Sequence, residues 1–250
     1  MEITHGHHPE SLTETLETLG RVQHYNRWIY DQFRDTLGLY VLEIGAGIGN
    51  ITRILAGESG RQIWATDVEE EFLSYLKNEF RDTPAVHVRH HNALDVFITE
   101  AGTPVDSILC INVLEHISDD VAALKAMFRS LAPGGYLNLL VPAGPWLYGT
   151  IDRAIGHYRR YKKGELKVKI ECAGFRVERL YAFNPVGIFG WWLQGKILHR
   201  HTLSPRQTSW FDRMVPVLRW LPFQRNPWFG LSLIAIARKP STTALANDSG

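Results

Sequence analysis

Two cysteines in 250 residues are too few for a disulfide framework. Cys110 falls in an apolar, strand-like run and Cys172 in a helical pattern, so a cysteine-held metal is not suggested either, and a reducing cytoplasm is the expected compartment. An excess of one charge sign is also missing. The 27 Lys and Arg against 26 Asp and Glu leave a net charge of +1, which argues against a dedicated polyanion binder. The opening Met1 to His8 lacks the basic-then-apolar order of a signal peptide. The longest apolar run, near Pro185 to Leu193, falls far short of the roughly 20 residues a helix needs to cross a bilayer. Histidines cluster at His5, His7 and His8, in what reads as a frayed terminus, and at His87, His90 and His91, where strand alternation sets His90 opposite the other two. No metal is expected from either group.

What is present is an alternation of short β-rich runs with helical patterns from Leu39 onward, the mark of an α/β sheet covered by helices on both faces. Seven strands are predicted, at 39–44, 62–66, 85–90, 107–111, 136–141, 175–181 and 231–238. Helices are expected at 51–56, 70–80 and 119–131, the last stopped by Pro133-Gly134-Gly135. Residues 11–37 carry Leu12, Leu16 and Leu19, then Tyr25, Trp28, Ile29 and Phe33, at helical spacing, and read as two helices ahead of the sheet. The stretch 182–230 breaks the alternation and holds Trp191, Trp192, Trp210, Trp220 and Trp228, far more chain than a hairpin between the last two strands needs. It is expected to be an aromatic-rich cap inserted into a single domain spanning 1–240, followed by a loose polar tail over 241–250.

The chemistry-bearing motif is Val41-Leu42-Glu43-Ile44-Gly45-Ala46-Gly47-Ile48-Gly49-Asn50. A strand ending in Glu-x-Gly-x-Gly-x-Gly and entering a helix brings backbone amides against a ligand, because glycine has no side chain in the way. The dinucleotide fingerprint is spaced differently, and its third glycine would fall at Ile48 or Asn50. Glu43 would repel a pyrophosphate but attract the ammonium of a methionine moiety. Asp67, 18 residues beyond Gly49 at the end of the second strand, stands near the spacing at which an acid accepts hydrogen bonds from ribose hydroxyls.

Together with His91-Asn92-Ala93-Leu94-Asp95 after the third strand and Cys110-Ile111-Asn112-Val113-Leu114-Glu115-His116-Ile117 after the fourth, the loop resembles the class I S-adenosylmethionine (SAM)-dependent methyltransferases. The likeness is to the small-molecule group that includes the ubiquinone-biosynthesis type, over roughly Tyr25 to Tyr181 and again from Leu231. It implies a seven-stranded Rossmann-like sheet, SAM as cofactor, and methyl transfer to O, N or C of a small organic acceptor, aromatic or lipid-linked. It also implies that the glycine loop (Glu43, Gly45, Ala46, Gly47 and Gly49) holds the methionine part, Asp67 with Val68 the ribose, and Asn92 with Ala93 the adenine. Ile111, Asn112 and Val113 would border the cofactor. Many relatives carry Asp where this chain has Asn92.

On the acceptor side the residues leave more open. The segment Tyr148 to Tyr161 follows the fifth strand, at the carboxyl edge where open α/β sheets bind ligands. His157, Tyr158 and His116 are the candidate catalytic groups, since histidine titrates nearest to neutral pH. Tyr25, Arg159, Tyr161 and Trp191 are candidate acceptor contacts. The bland alternative has His157 and the tyrosines packing under the cap while Arg159 and Arg160 pair with Asp152. The cap could wall an apolar acceptor site or touch a lipid surface; Pro216 interrupts its amphipathic pattern from Trp210 to Trp220. Nucleic acid is disfavoured as a partner by the charge balance, despite the basic run from Arg159 to Lys169. A SAM-binding scaffold without turnover is the competing class.

Overall fold

The computed structural model describes residues 22–198, 200, 205–221 and 228–241. The first of the two expected N-terminal helices, the histidines at 5, 7 and 8, Phe223 and residues 242–250 of the tail lie outside the described residues.

All seven strands form: β1 Tyr40–Ile44, β2 Gln62–Asp67, β3 Val86–His90, β4 Val105–Ile111, β5 Leu131–Pro142, β6 Arg176–Phe183 and β7 Ser232–Arg238. They make one sheet in the order β3-β2-β1-β4-β5-β7-β6, parallel except for β7, which runs antiparallel to both neighbours. The order reverses between β1 and β4, and there the crevice outside the strand ends receives ligands in open α/β sheets. The glycine loop leaves β1 at that point.

Side-chain alternation splits the core in two. Leu42 and Ile44 of β1, Leu137, Leu139 and Val141 of β5 and Leu233, Ala235 and Ala237 of β7 face one layer. There they meet α4 (Asp120–Ser130) through Leu124 and Met127 and α6 (Lys163–Cys172) through Leu166 and Ile170. Val41, Leu140, Ile234 and Ile236 face the other layer, against α1 (Gln23–Asp31) and α2 (Asn50–Ala56). Each fully buried aliphatic side chain contributes about 1.5–3 kcal/mol to folding. The remaining helices are α3 (Glu70–Glu79), the short α5 (Thr150–Ala154), α7 (Pro185–Trp192), which passes into a π-helical turn at Leu193–Ile197, and α8 (Pro205–Leu218). Among the described residues no helix is long and apolar enough to cross a membrane.

The inserted stretch begins later than expected, because β6 continues through Phe183. Asn184 then takes a left-handed conformation (φ 55°), and its side-chain oxygen accepts from the Gly187 amide, capping α7 with Pro185 in the first turn. The stretch does two separate jobs. α7 and the turn after it lean on the loop that follows β5: Thr150 donates its hydroxyl to the Gly195 carbonyl, and the Trp191 indole donates to Asp152. α8 instead crosses α1, where Val215 and Phe211 join Trp28 and Phe183. Val22, at the start of α1, provides no side-chain cap. The buried Asp212 of α8 supplies one from 187 residues away, accepting the Tyr25 amide at 2.8 Å. Asp212→Ala is therefore expected to lower stability by about 1–2 kcal/mol in urea unfolding, the usual worth of a helix cap.

Candidate active site

Gly45, Gly47 and Gly49 have φ of 71°, 54° and 77°, the left-handed region in which a side chain is strained. The loop is pressed close as well as bent: a Cβ on Gly45 would stand 2.3 Å from Val113 Cγ2 at the end of β4. One carboxylate fixes it to the neighbouring strand. Asp67 at the end of β2 accepts the Gly47 amide on Oδ2 (2.9 Å) and the Val68 and Glu69 amides on Oδ1 (2.8 and 3.1 Å). Val68 beside it is half exposed. The segment after β3 hugs the same edge, with the His91 amide on the Asp67 carbonyl and Asn92 folded into a turn that accepts the Leu94 amide. Ala93 turns its methyl into the core, so only its backbone can reach a ligand. Ala46 likewise packs inward, against Leu76 and Phe80. Asn112, at φ 53°, is one of two non-glycine residues given a left-handed backbone among those described, and it lies exposed at the end of β4.

Glu43 lies buried beneath this loop, its Oε2 accepting the Thr52 hydroxyl at 2.6 Å. Burial pushes its carboxyl up to about 7; the Thr52 hydrogen bond pulls it partly back and the nearby Asp67 charge raises it further. Two acids facing one glycine cradle, one of them desolvated, make a place where a ligand ammonium would be favoured.

The second half of the site lies next to it, at the ends of β4 and β5. Past β5 the chain turns through Gly144 (φ 72°), passes α5 and folds back, so that Tyr161 bridges in parallel to Ala143. This return lays His157 beside the end of β4, where the Tyr158 amide donates to the Glu115 carbonyl at 2.8 Å. Asp152 is the hub. Its Oδ1 takes Arg160 Nε (2.7 Å) and His157 Nδ1 (2.9 Å), and its Oδ2 takes the Gly149 amide and the Trp191 indole. Burial works against the Asp152 charge, but the His157 hydrogen bond and the Arg160 charge outweigh it and hold the carboxyl below its ordinary range. An ionised carboxylate only accepts, so Nδ1 of His157 carries a proton and Nε2 points away from Asp152. Glu115 Oε1 lies 3.6 Å from Nε2. Glu115 is fully buried, and neither of its carboxylate oxygens has a hydrogen-bond partner. Burial pushes its carboxyl up to about 7, against the pull of the His157 charge.

Residues 42–137 match the family described as "Methyltransferase domain". A Mycolicibacterium smegmatis protein named as a probable S-adenosylmethionine-dependent methyltransferase is 29% identical over 154 residues, 60% of this chain and 58% of its own length. The ubiquinone biosynthesis O-methyltransferase of Xanthomonas oryzae pv. oryzae is 26% identical over 158 residues, 58% of this chain and 65% of its own. Among solved structures, an S-adenosylmethionine-dependent methyltransferase from Mesorhizobium loti superposes with a TM-score of 0.57 at 15% identity, covering 85% of this chain and 96% of that one. Over residues 42–137 the chain is similar to S-adenosylmethionine-dependent methyltransferases. It spans about half to two thirds of the length of the curated relatives it matches.

S-adenosylmethionine is the cofactor that similarity to methyltransferases implies, and the residues present fit it: Gly45 and Gly49 with no room for a side chain, a desolvated acid for an ammonium, and a second acid at the neighbouring strand end. On the acceptor side the outcome is divided. His116 and His157 come together, ring centroids 4.7 Å apart and nearly perpendicular. Tyr158 is 52% exposed at the rim, and Trp191 stacks over Arg160 while reaching Asp152. Tyr25 packs between Trp28, Phe183 and Phe211, with its hydroxyl 3.3 Å from the Asn184 amide nitrogen. Tyr161 is corrected as an acceptor contact, and Arg159 is largely committed to the fold. Arg159 donates to the carbonyls of Ile117 and Ser118 and pairs with Asp120, and the fully buried Tyr161 donates its hydroxyl to Asp120 as well. Both tie the loop to the start of α4; the one hydroxyl proton of Tyr161 is spent there, while Arg159 commits three of its five N–H donors. Glu115 and Asp152 were not among the expected site residues. The signal that could have found Asp152 is its place five residues before His157, on a five-residue helix after β5.

Proposed function

We propose that this chain transfers the methyl group of S-adenosylmethionine to a small organic acceptor, in the first place to an acceptor hydroxyl. The observation that carries the acceptor side is the buried, unpartnered Glu115 carboxylate beside His157 Nε2. Such a pair is arranged to take up positive charge, and a hydroxyl acceptor has a proton to give. S-adenosylmethionine, when bound, supplies a methyl carbon already activated by its sulfonium. The protein then has to align the acceptor and exclude water. Asp152 holds the His157 ring by Nδ1, leaving Nε2 to receive the acceptor proton, and Glu115 stabilises the imidazolium so formed. The turn after α7 rests on Thr150 and Gly149, next to Asp152.

The test uses methyl-labelled S-adenosylmethionine with a protein-free small-molecule extract. Label should enter an organic-soluble product and do so at least a hundredfold more slowly with His157→Ala, the usual worth of a general base. Cofactor binding of normal strength with no labelled small molecule would favour the scaffold reading instead.

A further inference from the structure

The near-neutral total charge hides an uneven distribution. Between Asn184 and Leu231 the sequence holds six Lys and Arg and a single acid, Asp212. Of the chain's 27 basic and 26 acidic side chains, that leaves 21 and 25 for the rest, so a basic insertion sits on an acidic body. We infer that this insertion docks the protein on an anionic lipid bilayer through the outward face of α8.

α8 continues from Pro205 to Leu218 through Pro216, so the proline does not end the amphipathic pattern. Its inner face is already used: Val215 is buried with Phe211 against Trp28 and Phe183, and Asp212 accepts the Tyr25 amide. The outer face carries Arg206, Trp210, Arg213 and Val217, continued by Trp220 in the turn after the helix, all of them exposed. At 3.6 residues per turn these five lie within an arc of about 80°. Trp210 and Trp220 expose 66% and 65% of their surface and Val217 61%, an apolar stripe rather than a scattered residue. The insertion's one acid is turned inward to α1, so it does not neutralise the arginines. Among the described residues Arg206 and Arg213 have no ion-pair partner, while Arg219 pairs with Asp31 at 3.4 Å.

Such a face matches the interfacial layer of a membrane. Indole rings settle there with the apolar body against acyl chains and the N–H in the wet headgroup layer, while arginines between them reach anionic headgroups. Val217, between the two tryptophans, favours lipid over a single-stranded nucleic acid, to which a valine offers no stacking surface. The charge distribution also sets the orientation: an anionic surface repels the acidic body and attracts the basic insertion, which turns α8 toward the bilayer. The contact is peripheral, since no described helix is long and apolar enough to cross.

The test needs neither cofactor nor acceptor, so it can fail while the methyl-transfer reading stands, and the reverse. The full chain is sedimented with vesicles of phosphatidylcholine alone and with vesicles of equal parts phosphatidylcholine and phosphatidylglycerol. Binding to the anionic vesicles should be at least about tenfold tighter. Trp210→Ser combined with Trp220→Ser should weaken it by about tenfold or more with the thermal transition unchanged, because both rings are exposed, and Arg206→Gln with Arg213→Gln should do the same for anionic vesicles. Acrylamide should quench the free parent more than the double tryptophan variant. A folded chain left in the supernatant by anionic vesicles, a double tryptophan variant that binds as tightly as the parent, or tighter binding to a single-stranded oligonucleotide would overturn the proposal. So would equal quenching of parent and variant, the result if residues 11–21 of the chain itself covered this face.

Discussion

Asp67→Ala is expected to weaken S-adenosylmethionine binding by more than a hundredfold while leaving a folded chain. The carboxylate accepts three backbone amides, and one of them, at Gly47, belongs to the buried loop itself. An amide left without an acceptor costs about 1–3 kcal/mol, and a hydrogen bond from ribose to a charged oxygen is worth about 1.5–3 kcal/mol. Added together they come to about 2.5–6 kcal/mol, or about two to four decades in Kd. Asp67→Asn separates the two contributions. It keeps one accepting oxygen, which can serve Gly47 or the Val68–Glu69 pair but not both, so its loss should be intermediate. Calorimetric titration of both variants, beside their unfolding curves, makes the comparison. A carboxylate serving the fold alone would lower the melting temperature and leave Kd unchanged once the chain is folded.

Glu43→Gln should have opposite effects on stability and binding. With the folded carboxyl at about 7 against an ordinary value of 4.5, the native state binds the Glu43 proton more tightly than the unfolded chain does. That contribution to stability is complete below pH 4.5 and is lost as pH rises to about 7. Above that window the ionised, desolvated group costs the fold about 3 kcal/mol relative to a neutral isostere. The variant should therefore match the parent in urea unfolding near pH 4.5 and exceed it by about that amount at pH 8. Binding runs the other way: an ammonium needs the ionised form, so the parent's affinity for S-adenosylmethionine should rise with pH through 7, and the variant should bind weakly at every pH. Equal stabilities at pH 8 would mean that Glu43 is better solvated than its position beneath the loop implies.

The strands and the glycine loop were legible because both depend on local signals. Buried parallel strands read as short apolar runs, and a tight strand-to-helix turn calls for glycine at positive φ, as Gly45, Gly47 and Gly49 have. The acceptor side was only half legible because Glu115 and His157 are 42 residues apart and meet through the return of the chain that bridges Ala143 to Tyr161. Nothing in the spacing of either motif announces that pairing. The acidic start of α4 shows the same limit. Asp119 caps the helix, accepting the Ala122 amide, but Asp120 beside it is buried and takes Arg159, Lys169 and Tyr161. Nothing in the local sequence tells Asp120 from Asp119. The tryptophan-rich stretch was recognisable as an insertion, but its division between the α5 loop and α1 rests on tertiary contacts such as Asp212 to Tyr25.

Gly45, Gly47, Glu43 and Asp67 make the cradle proposed for S-adenosylmethionine. Calorimetric titration of the intact, folded chain with S-adenosylmethionine and with its demethylated product tests it most directly. One nucleoside per chain at micromolar Kd, lost in Asp67→Ala, is the predicted result; a folded parent chain that binds neither would contradict the account.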